Sequence, residues 1–592
     1  MSEANNLLGT YPLSGDSAAE FAGSSADIAH DAELGTAALC GSPRWSEVSL
    51  ARRAREAGHA RALLEGYAQH GAEVLHHLAG GFSLAVAGRD GRLLLAVDRL
   101  GIGRMCYALR PGAMVFGVRA DAVAAHPRVA ADLSAQGLYN YLYFHVVPAP
   151  GTIFAGVSRL LPGEALQVEA GRVSVAPYWQ ANYTEAARGR SDRELQAEFR
   201  ELVGGAVRDA ASNAGRIGAF LSGGTDSSTV VGMLARAGGD PVQTYSIGFD
   251  APGYDEMEYA RLAARRFGAV AREYYVTPGD VVDAIPRVAH HLDQPFGNAS
   301  IVPAYFCARM AREDGRDCLL AGDGGDELFG GNYRYAKQQM FESYHRVPAL
   351  VRRGVVEPVL LGLPAVGALP GVRKLRNYVA QARIPLPDRM ESYNLLERLD
   401  PASILTADLL AAADMGHPLA QLRECYHGAC ASSALNRMLA IDMRFTLADS
   451  DLPKVEHACE MAGVGVRYPL LDERLVDFAA SLPVEQKVRG TRLRHLFKEA
   501  LRGILPDEII TKRKHGFGLP FGVWLHEQPG LRALAGDSLS GLVSRGILQP
   551  AAVDRLLGDQ HSQHPAYFGT FIWVLVMLEQ WLAQRAEVRA WN

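Results

Sequence analysis

The hydrophobic pattern of the first third of the chain predicts a β-rich domain. The first forty residues are rich in Ala, Ser, Gly and Asp and show little periodicity, which predicts a loose leader. From about Ser49 to Gly80 apolar residues recur at helical spacing. Short apolar runs separated by Asp90-Gly91 and Pro111-Gly112 then predict hairpins, and residues 151–178 are again strand-rich. We therefore expect an antiparallel N-terminal domain up to about residue 190.

Beyond residue 190 predicted strands and helices alternate. A long amphipathic helix is predicted over residues 191–211, and strand–helix units begin near residues 216, 242 and 272. This alternation is typical of a doubly wound α/β domain with a parallel sheet. The remainder, from roughly Ala336 to Asn592, is mostly helical in pattern. The prediction is thus two domains, residues 1–190 and 191–592.

Charge and apolar composition exclude two classes of protein. The 60 Lys and Arg residues against 65 Asp and Glu residues give a net charge of −5, which argues against a main role in binding nucleic-acid phosphate. The longest apolar runs fall short of the roughly 20 residues that span a bilayer. Because no Lys or Arg precedes Arg44 and no apolar signal core is present, we expect a cytoplasmic protein without a secretory signal.

The cysteine pattern predicts reduced thiols. The 7 cysteines are odd in number, widely spaced and never in a C-x-x-C pair. Zinc ribbons, iron–sulfur clusters and thioredoxin-type redox sites are therefore not expected. A chain of this length can also form a stable core without disulfides or structural metals.

The first candidate site is a loop at a predicted change from strand to helix, with the sequence Leu221-Ser222-Gly223-Gly224-Thr225-Asp226-Ser227-Ser228. Such a loop aims unpaired backbone N–H groups at one point beside the positive end of a helix dipole, which suits a phosphate or pyrophosphate. The glycines let the backbone approach the anion. No Walker G-K-[ST] pattern is present, and Asp226 is interpreted as a ligand of Mg²⁺ that bridges to the phosphates. The alternative is a glycine-rich turn that only caps the helix.

A second loop, rich in glycine and carboxylates, follows an apolar run and reads Gly322-Asp323-Gly324-Gly325-Asp326-Glu327. Loops at the carboxyl ends of strands in an open α/β sheet meet in one crevice, so Asp326 can face Asp226 although 100 residues separate them. Two carboxylates give Mg²⁺ a hard-oxygen site that keeps waters and phosphate oxygens as its other ligands. A calcium-type or purely structural acidic turn is the alternative, but it does not account for the paired loops.

The two loops, SGGTDSS and AGDGGDELFGG, together resemble the ATP-pyrophosphatase (PP-loop) synthetase domain of the asparagine synthetase family. Three later blocks are similar to that family in the same order: VRYPLLDERLVDFAASLP, LFKEALRGILPDEIITKRKHGFGLPFGVW and FIWVLVMLEQWL. The runs LAGGFSLAV, AVDRLGIGRMCYAL and SRLLPGEAL resemble the later part of the glutaminase-like N-terminal domain. The likeness covers roughly residues 60 to 590.

The resemblance implies an α/β protein with an α+β N-terminal domain. Residues 1–190 would form a degenerate class II glutamine amidotransferase-like domain, an N-terminal nucleophile hydrolase-like αββα sandwich. Residues 191–592 would form an adenine-nucleotide alpha-hydrolase-like doubly wound parallel sheet with a helical C-terminal part. ATP and Mg²⁺ are the implied cofactors.

The resemblance also implies roles for individual residues. The residues implied to bind pyrophosphate are Ser222, Gly223, Gly224, Asp226 and Ser227. Those implied to line the adenosine pocket are Leu221, Ile247 and Gly322, and those implied to hold Mg²⁺ are Asp226 and Asp326. Lys514 would contact the phosphates in the transition state, although spacing alone does not choose among the adjacent Lys512, Arg513 and Lys514. Asp323 stands where family members carry a proton-handling residue, and a general base there would take a proton from the attacking amine. A carboxylate that only caps the loop fits the sequence equally well.

Two departures from the family change the expected chemistry. The glutaminase half of these enzymes uses a cysteine at position 2, where this sequence has Ser2, and the nearest cysteine is Cys40. Because the N-terminal nucleophile cannot then form, we predict a retained domain without glutaminase activity. In a later block Glu456 stands for Asp, His457 for Arg and Gly465 for Glu. Loss of these groups predicts an altered acceptor preference and weighs against aspartate as the substrate.

The resulting hypothesis is an AMP-forming amide ligase that adenylates a substrate carboxylate, releases pyrophosphate and passes the acyl group to ammonia or an amine. Lasso-peptide or β-lactam-type intramolecular cyclisation and amidation of an exopolysaccharide sugar are the alternatives. A PP-loop RNA-modifying enzyme is disfavoured because neither a basic RNA-binding appendage nor a catalytic cysteine pair is evident. Expected partners are a small-molecule or peptide carboxylate and an amine donor, without nucleic acid or membrane. A homodimer and a partner protein from a biosynthetic cluster both stay open.

Overall fold

The computed structural model describes residues 7–13, 19–24, 26–129, 132–362, 370–512, 518–560 and 564–585. In its N-terminal part the strands are β1 (Leu7–Pro12), β2 (Glu20–Gly23), β3 (Asp27–Asp31), β4 (Gly35–Gly41), β5 (Arg44–Trp45), β6 (Leu78–Ala79), β7 (Phe82–Gly88), β8 (Leu93–Val97), β9 (Cys106–Arg110), β10 (Ala113–Gly117), β11 (Ser158–Arg159), β12 (Glu164–Glu169), β13 (Arg172–Pro177) and β14 (Asn182–Tyr183). The helices there are α1 (Val48–Ala57), α2 (His59–His70), α3 (Ala120–Ala124) and α4 (Ala135–Phe144), with a 3₁₀ turn at Gly71–His77.

These strands form two antiparallel sheets packed face to face. Their strand orders are β11-β9-β10-β1-β2 and β13-β12-β8-β7-β4-β3. Side chains such as Met114 and Phe116 of one sheet and Leu95 of the other fill the layer between them. Helices α1 and α2 cover the outer face of the second sheet through Leu50, Leu63 and Leu64, and α3 packs on β9 and β10 of the first. The predicted αββα sandwich is confirmed.

The predicted loose leader is wrong for the described residues of that segment, which form β1 to β4. Strand β1 pairs with β10 and β2, and β4 pairs with β7 in the interior of its sheet. Leu7 and Ala38 are fully buried. The small residues of these strands carry little intrinsic β-propensity, and packing between the sheets selects the strand conformation instead.

The second part of the chain is built on a parallel sheet. Its five described strands are β15 (Ile217–Phe220), β16 (Gln243–Phe249), β17 (Val270–Val276), β18 (Cys318–Leu320) and, after the short β19 (Cys430–Ala431), β20 (Gly465–Arg467). They pair in the order β17-β16-β15-β18-β20. From the central β15 the chain first builds one side of the sheet and then the other, so the strand order reverses between β15 and β18. Ligands of open α/β sheets bind beside the carboxyl ends of the strands at such a point.

Helices flank this sheet and make up the C-terminal part. Those that alternate with the strands are α5 (Asp192–Ala211), α6 (Thr225–Arg236), α7 (Met257–Phe267), α8 (Pro278–His291) and α9 (Ile301–Glu313). The next are α10 (Gly325–Phe329), α11 (Tyr333–Tyr344), α12 (Ala349–Val351), α13 (Glu357–Gly362), α14 (Pro370–Ala382), α15 (Leu395–Leu399), α16 (Pro401–Ile404), α17 (Ala407–Ala412), α18 (His417–Gly428), α19 (Ala434–Ile441) and α20 (Leu452–Ala462). The last are α21 (Glu473–Ser481), α22 (Val484–Lys487), α23 (His495–Ala500), α24 (Asp507–Thr511), α25 (Phe521–Glu527), α26 (Pro529–Ser544), α27 (Pro550–Arg555) and α28 (Pro565–Ala583).

Shorter elements connect these helices. They are the hairpin of β21 (Val488–Arg489) and β22 (Arg492–Leu493), the 3₁₀ turns Asp388–Tyr393 and Pro469–Leu471, and the π-helical segments Arg352–Val356, Asp442–Asp451 and Leu556–Gln560. None of the described helices combines the length and apolar character needed to cross a membrane. The predicted helical C-terminal part is confirmed.

Buried polar contacts connect the two parts of the chain. Arg159 Nη2 lies 2.5 Å from Asp449 Oδ1, and both side chains are nearly inaccessible to solvent. Arg104 donates to Nε2 of His457, whose Nδ1 lies 3.2 Å from a Glu460 carboxylate oxygen. Asp449 and His457 stand on either side of the start of α20. The N-terminal part therefore holds this segment from both ends.

A buried lysine in the helical part makes the stability of the fold depend on pH. Lys487 is fully buried and donates to Asn436 Oδ1 at 2.8 Å. Burial lowers the pKa of Lys487 to about 7, against about 10.4 in an unfolded chain. Between these values the unfolded chain binds the extra proton, so this group makes the free energy of unfolding rise with pH above about 7.

We expect Lys487→Met to be more stable than the wild type at pH 7 and to lose that advantage progressively towards pH 9. Chemical denaturation at several pH values measures the difference. Lys374→Met, at an exposed lysine, is the control and should show no such trend. A stability difference for Lys487→Met that stays constant with pH would contradict the prediction.

Candidate active site

A cavity of about 1150 Å³ opens at the carboxyl ends of β15 and β18. The residues from the sequence analysis that line it are Leu221, Ser222, Gly224, Asp226, Ser227, Ile247, Gly322, Asp323 and Asp326. Gly223 lies in the same loop but faces α7: its φ is +73°, and a Cβ atom there would lie 2.5 Å from the backbone nitrogen of Ala260. Lys514, with Arg513, lies outside the described residues.

Hydrogen bonds of its own serine side chains stabilise the first loop. Ser227 Oγ accepts from the backbone N–H of Ser222 at 3.2 Å and lies 3.1 Å from Ser222 Oγ, which in turn accepts from Gly224 N–H at 3.3 Å. Gly224 directly precedes α6, and within the part of the chain that the structure describes no side chain caps this helix start. Backbone N–H groups at the positive end of the helix dipole thus border the cavity, as an anion site requires.

The second loop packs directly on the first. A Cβ atom on Gly322 would lie 2.7 Å from the backbone nitrogen of Ser227, and one on Gly325 would lie 2.5 Å from Asp226 Oδ1. Glycine is needed at position 322 because the backbone atoms there cannot give way, whereas a side chain at position 325 would displace the Asp226 carboxylate. Pairing of β15 with β18 brings the two loops together.

An arginine lies between the two predicted metal ligands. Arg494 Nη1 lies 2.5 Å from Asp226 Oδ1 and 3.2 Å from Asp326 Oδ1. The side chains of Asp226 and Asp326 are both largely buried. Two hard carboxylate oxygens that converge on one cationic atom are a donor set suited to Mg²⁺. The residues present fit a divalent cation at this position.

Asp323 belongs to a buried ion-pair network. Lys454 Nζ lies 3.3 Å from Asp323 Oδ1 and 3.1 Å from Asp451 Oδ1. Burial raises the pKa of Asp323, while the Lys454 charge opposes that shift. Burial also opposes the charge of Lys454, but the two carboxylates outweigh it and raise the pKa of Lys454. The side chain of Asp323 thus faces a cation in the cavity, a position suited to proton transfer.

Glu327 and Lys512 also contribute to the charge of the cavity. Burial, with the neighbouring Asp451 charge, raises the pKa of Glu327 to about 8, so this carboxyl group is largely protonated at neutral pH. Lys512 Nζ lies 2.7 Å from Glu256 Oε1 and 4.2 Å from the ring centre of Tyr259. Lys512 is therefore already paired with a carboxylate at the cavity wall.

The sequence analysis missed Arg494 and Lys454. Lys454 is the first residue of the block in which Glu456 and His457 depart from the family, so a cation there could have been noticed. Arg494 follows a β-hairpin 268 residues after Asp226, and no local pattern marks it. Both side chains reach the site only through the packing of α20 and α23 around the sheet.

The structure places Glu456 and His457 outside the lining of the large cavity. Both line a separate cavity of about 90 Å³ against the N-terminal part, where His457 contacts Arg104. Gly465 begins β20 and is exposed. These three positions therefore lie at the contact between the domains and at the sheet edge.

Comparisons with known proteins agree with this geometry. The family model described as asparagine synthase matches residues 198–583, and that of the glutamine amidotransferase domain matches residues 47–179. Asparagine synthetase [glutamine-hydrolyzing] 1 of Bacillus subtilis (strain 168) is 26% identical over 470 residues, which cover 79% of this chain and 72% of the relative. Asparagine synthetase [glutamine-hydrolyzing] 3 of the same organism is 25% identical, over 76% of this chain and 69% of the relative.

A solved structure shares much less with the chain. Glutamine phosphoribosylpyrophosphate (PRPP) amidotransferase from B. subtilis, complexed with ADP and GMP, covers 54% of this chain and 75% of its own at 10% identity and a TM-score of 0.20. That likeness is too weak to bear on the fold. The match of the first family model extends over more than half of the sequence. The chain therefore belongs to the asparagine synthase family of ATP-dependent ligases.

Proposed function

We propose that the protein adenylates a substrate carboxylate with ATP and Mg²⁺ and transfers the acyl group to ammonia or an amine, with release of pyrophosphate and AMP. The observation that carries the proposal is the meeting of the two loops beside β15 and β18, where Asp226 and Asp326 converge on one cation position. The start of α6, which none of the described side chains caps, adjoins the same point. Phosphate and metal can therefore be bound together.

In the first step a carboxylate oxygen of the substrate attacks the α-phosphorus of ATP, and the bond to the bridging oxygen breaks, so that pyrophosphate leaves. Ser222, Ser227 and the backbone N–H groups of their loop would bind the phosphates. Leu221, Ile247 and Gly322 would line the adenosine pocket. Mg²⁺ held by Asp226 and Asp326 would neutralise phosphate charge. Lys514, outside the described residues, is proposed to stabilise the departing pyrophosphate.

In the second step the amine nitrogen attacks the acyl carbon, the bond to the AMP oxygen breaks, and the amine loses a proton. Asp323 is the group we assign to accept that proton, because its carboxylate lines the cavity. The positive charge of Lys454 opposes the rise in the pKa of Asp323 that burial causes. Glu327, with its pKa raised to about 8, is protonated at neutral pH and is a poorer acceptor.

We infer further that the N-terminal domain supplies no ammonia from glutamine. The cysteines of residues 1–190 are Cys40 and Cys106. Cys40 lies within β4 and Cys106 within β9, and burial raises their pKa values to about 11 and about 12. Because the thiolate is the nucleophile, neither side chain is suited to attack glutamine. These features support a retained domain without glutaminase activity.

The experiment that tests the proposal is a substrate screen that measures pyrophosphate and AMP together. Candidate carboxylates are offered with ATP, Mg²⁺ and either ammonia, amines or glutamine. Equal amounts of AMP and pyrophosphate with a free amine, and no glutamate from glutamine, are expected. Candidates with the carboxylate and amine in one molecule separate cyclisation from intermolecular ligation. Formation of ADP and phosphate, or hydrolysis of glutamine, would contradict the corresponding part of the proposal.

Replacement of Lys454 by Met is expected to lower the rate of amide formation about 100-fold, a typical loss when an electrostatic partner is removed from an active site. Since Lys454 opposes the upward pKa shift of Asp323, its loss should raise that pKa further. The acidic limb of the rate–pH profile then moves to higher pH.

Single-turnover AMP formation as a function of pH measures both effects. Lys454→Arg, which keeps the charge, should retain the wild-type pH limb, and Lys374→Met controls for loss of a lysine elsewhere. A slower Lys454→Met enzyme with an unchanged pH profile would indicate a merely structural role.

A further inference from the structure

We propose that Arg494 makes metal binding by Asp226 and Asp326 conditional on nucleotide. In this proposal its guanidinium group occupies the metal position as a tethered cation until the phosphates of a nucleoside triphosphate draw it away. The inference rests on the proposed function, because it takes these two carboxylates as the metal ligands. It adds an order of events: free metal is rejected, and metal enters together with the triphosphate.

The position of Arg494 supports this role. A single atom, Nη1, contacts Asp226 Oδ1 at 2.5 Å and Asp326 Oδ1 at 3.2 Å, so guanidinium and metal cannot occupy the place together. The guanidinium carbon lies 5.4 Å from the ring centre of Phe497, and the face of this ring attracts the cation. Arg494 is only 6% exposed. The positive charge of Arg494 is therefore buried at the position between the two carboxylates.

The guanidinium also has an unused donor. Nε of Arg494 is buried and makes no hydrogen bond to any of the described residues. A buried N–H group without a partner is costly, and each such group in a native structure calls for an explanation, of which a bound ligand is one. Arg494 lines the cavity that holds the anion-binding loop. A phosphate oxygen is the kind of acceptor that this donor would meet there.

The chemistry of arginine explains why metal alone would bind weakly. A guanidinium group is always protonated in proteins, so it cannot leave the carboxylates by losing its charge. Free metal would have to displace it and leave a buried cation without an anion, which is strongly unfavourable. A metal–triphosphate complex brings phosphate oxygens as new partners for the same guanidinium group. Metal and nucleotide are then coupled, and the coupling must be reciprocal.

The backbone of Arg494 is consistent with a residue held in place by such contacts. Its φ is +52°, in the left-handed region that side chains other than glycine rarely adopt, and it directly precedes α23. A backbone of this kind persists where surrounding contacts over-determine it, and it is concentrated at functional sites. The two carboxylates supply such contacts.

Mn²⁺ binding to the full chain tests the proposal without any turnover. Electron paramagnetic resonance measures free Mn²⁺ in titrations of the wild type, Arg494→Ala and Arg492→Ala. Arg492 lines the same cavity and carries the same charge but is exposed, so it is the matched control. Without nucleotide, Arg494→Ala should bind Mn²⁺ at least 10-fold more tightly than the wild type, a difference of about 1.4 kcal/mol. Arg492→Ala should stay within about twofold of the wild type, as expected for a screened surface charge.

A non-hydrolysable ATP analogue completes the test. It should tighten Mn²⁺ binding to the wild type by a larger factor than in Arg494→Ala, because only the wild type has an internal cation to displace. Equal nucleotide-free affinities of the wild type and Arg494→Ala, or an equal gain in Arg492→Ala, would overturn the proposal. If Arg494→Ala does not fold, Arg494→Gln removes the charge with less change in volume and is subject to the same criteria.

Asp226→Asn separates failure of this proposal from failure of the proposed function. In the Arg494→Ala background it should abolish the gain in Mn²⁺ affinity, and in the wild-type background it should weaken Mn²⁺ binding with the analogue. If it weakens binding with the analogue while Arg494→Ala equals the wild type, the metal site stands and the role of Arg494 is wrong. If it has no effect with the analogue, the assigned metal ligands are wrong, and this proposal falls with them.

Discussion

Replacement of Asp226 by Asn is expected to reduce pyrophosphate release by about 10²- to 10³-fold, the loss typical of removing one preorganised group that stabilises transition-state charge. The reason lies in the position of its carboxylate, which shares one cation site with Asp326 at the start of α6. Asn keeps the size of the side chain but removes its charge, so Mg²⁺ would be held less tightly against the phosphates. Initial rates of pyrophosphate release at saturating ATP measure the effect.

A second carboxylate of the same domain provides the control for this experiment. Asp240 is exposed near the start of β16, and Asp240→Asn should leave the rate unchanged. Thermal unfolding of both variants in the absence of ATP shows whether the fold is intact. A folded Asp226→Asn protein with wild-type rates would rule out Asp226 as a metal ligand.

The second large effect concerns the contact between the domains. Replacement of Arg159 by Met leaves the buried Asp449 without its partner and should cost about 3–5 kcal/mol in the free energy of unfolding. Burial already raises the pKa of Asp449 even though Arg159 and Arg444 oppose that shift. The pair therefore stabilises the carboxylate only in part. Because Asp449 precedes Asp451 and Lys454 in the same segment, adenylation should weaken as well.

Two further variants distinguish loss of the pair from loss of a surface charge. The double variant Arg159→Met/Asp449→Leu should recover at least about half of the lost stability, since a well-packed apolar pair often replaces a buried ion pair at little cost. The exposed pair Arg92–Glu169 is the control, and Arg92→Met should change stability by no more than about 1 kcal/mol. Chemical denaturation of all variants provides the comparison. A double variant as unstable as Arg159→Met alone would contradict this account.

Much of the fold followed from patterns that are local in the chain. The strand–helix alternation predicted the parallel sheet, and helix α5 begins at Asp192 with a Ser191–Glu194 capping box, as its sequence suggests. The four N-terminal strands were missed because small residues say little about strand formation until another sheet packs on them. A glycine-rich turn at a strand end can be predicted from adjacent residues, whereas these four strands depend on packing against distant segments of the chain.

The candidate site, like the fold, was predicted from the sequence only in part. Residue type and spacing predicted that the two loops meet at one site, and in the structure both line the same cavity. The position of Glu456 and His457 was not predicted, because similarity to a family block does not say which cavity a side chain enters. In the structure they face the N-terminal part, and Lys454 of the same helix faces the cavity beside β15 and β18.

The sequence by itself determined the family, and it predicted the two loops and a phosphate and metal site beside them. Only the tertiary structure decided which cations meet those carboxylates: Lys454 beside Asp323, and Arg494 between Asp226 and Asp326. The physical reason is the range of the interactions. A loop conformation depends on a few adjacent residues, whereas a buried ion pair between residues 268 positions apart exists only once helices and sheet have packed and excluded water.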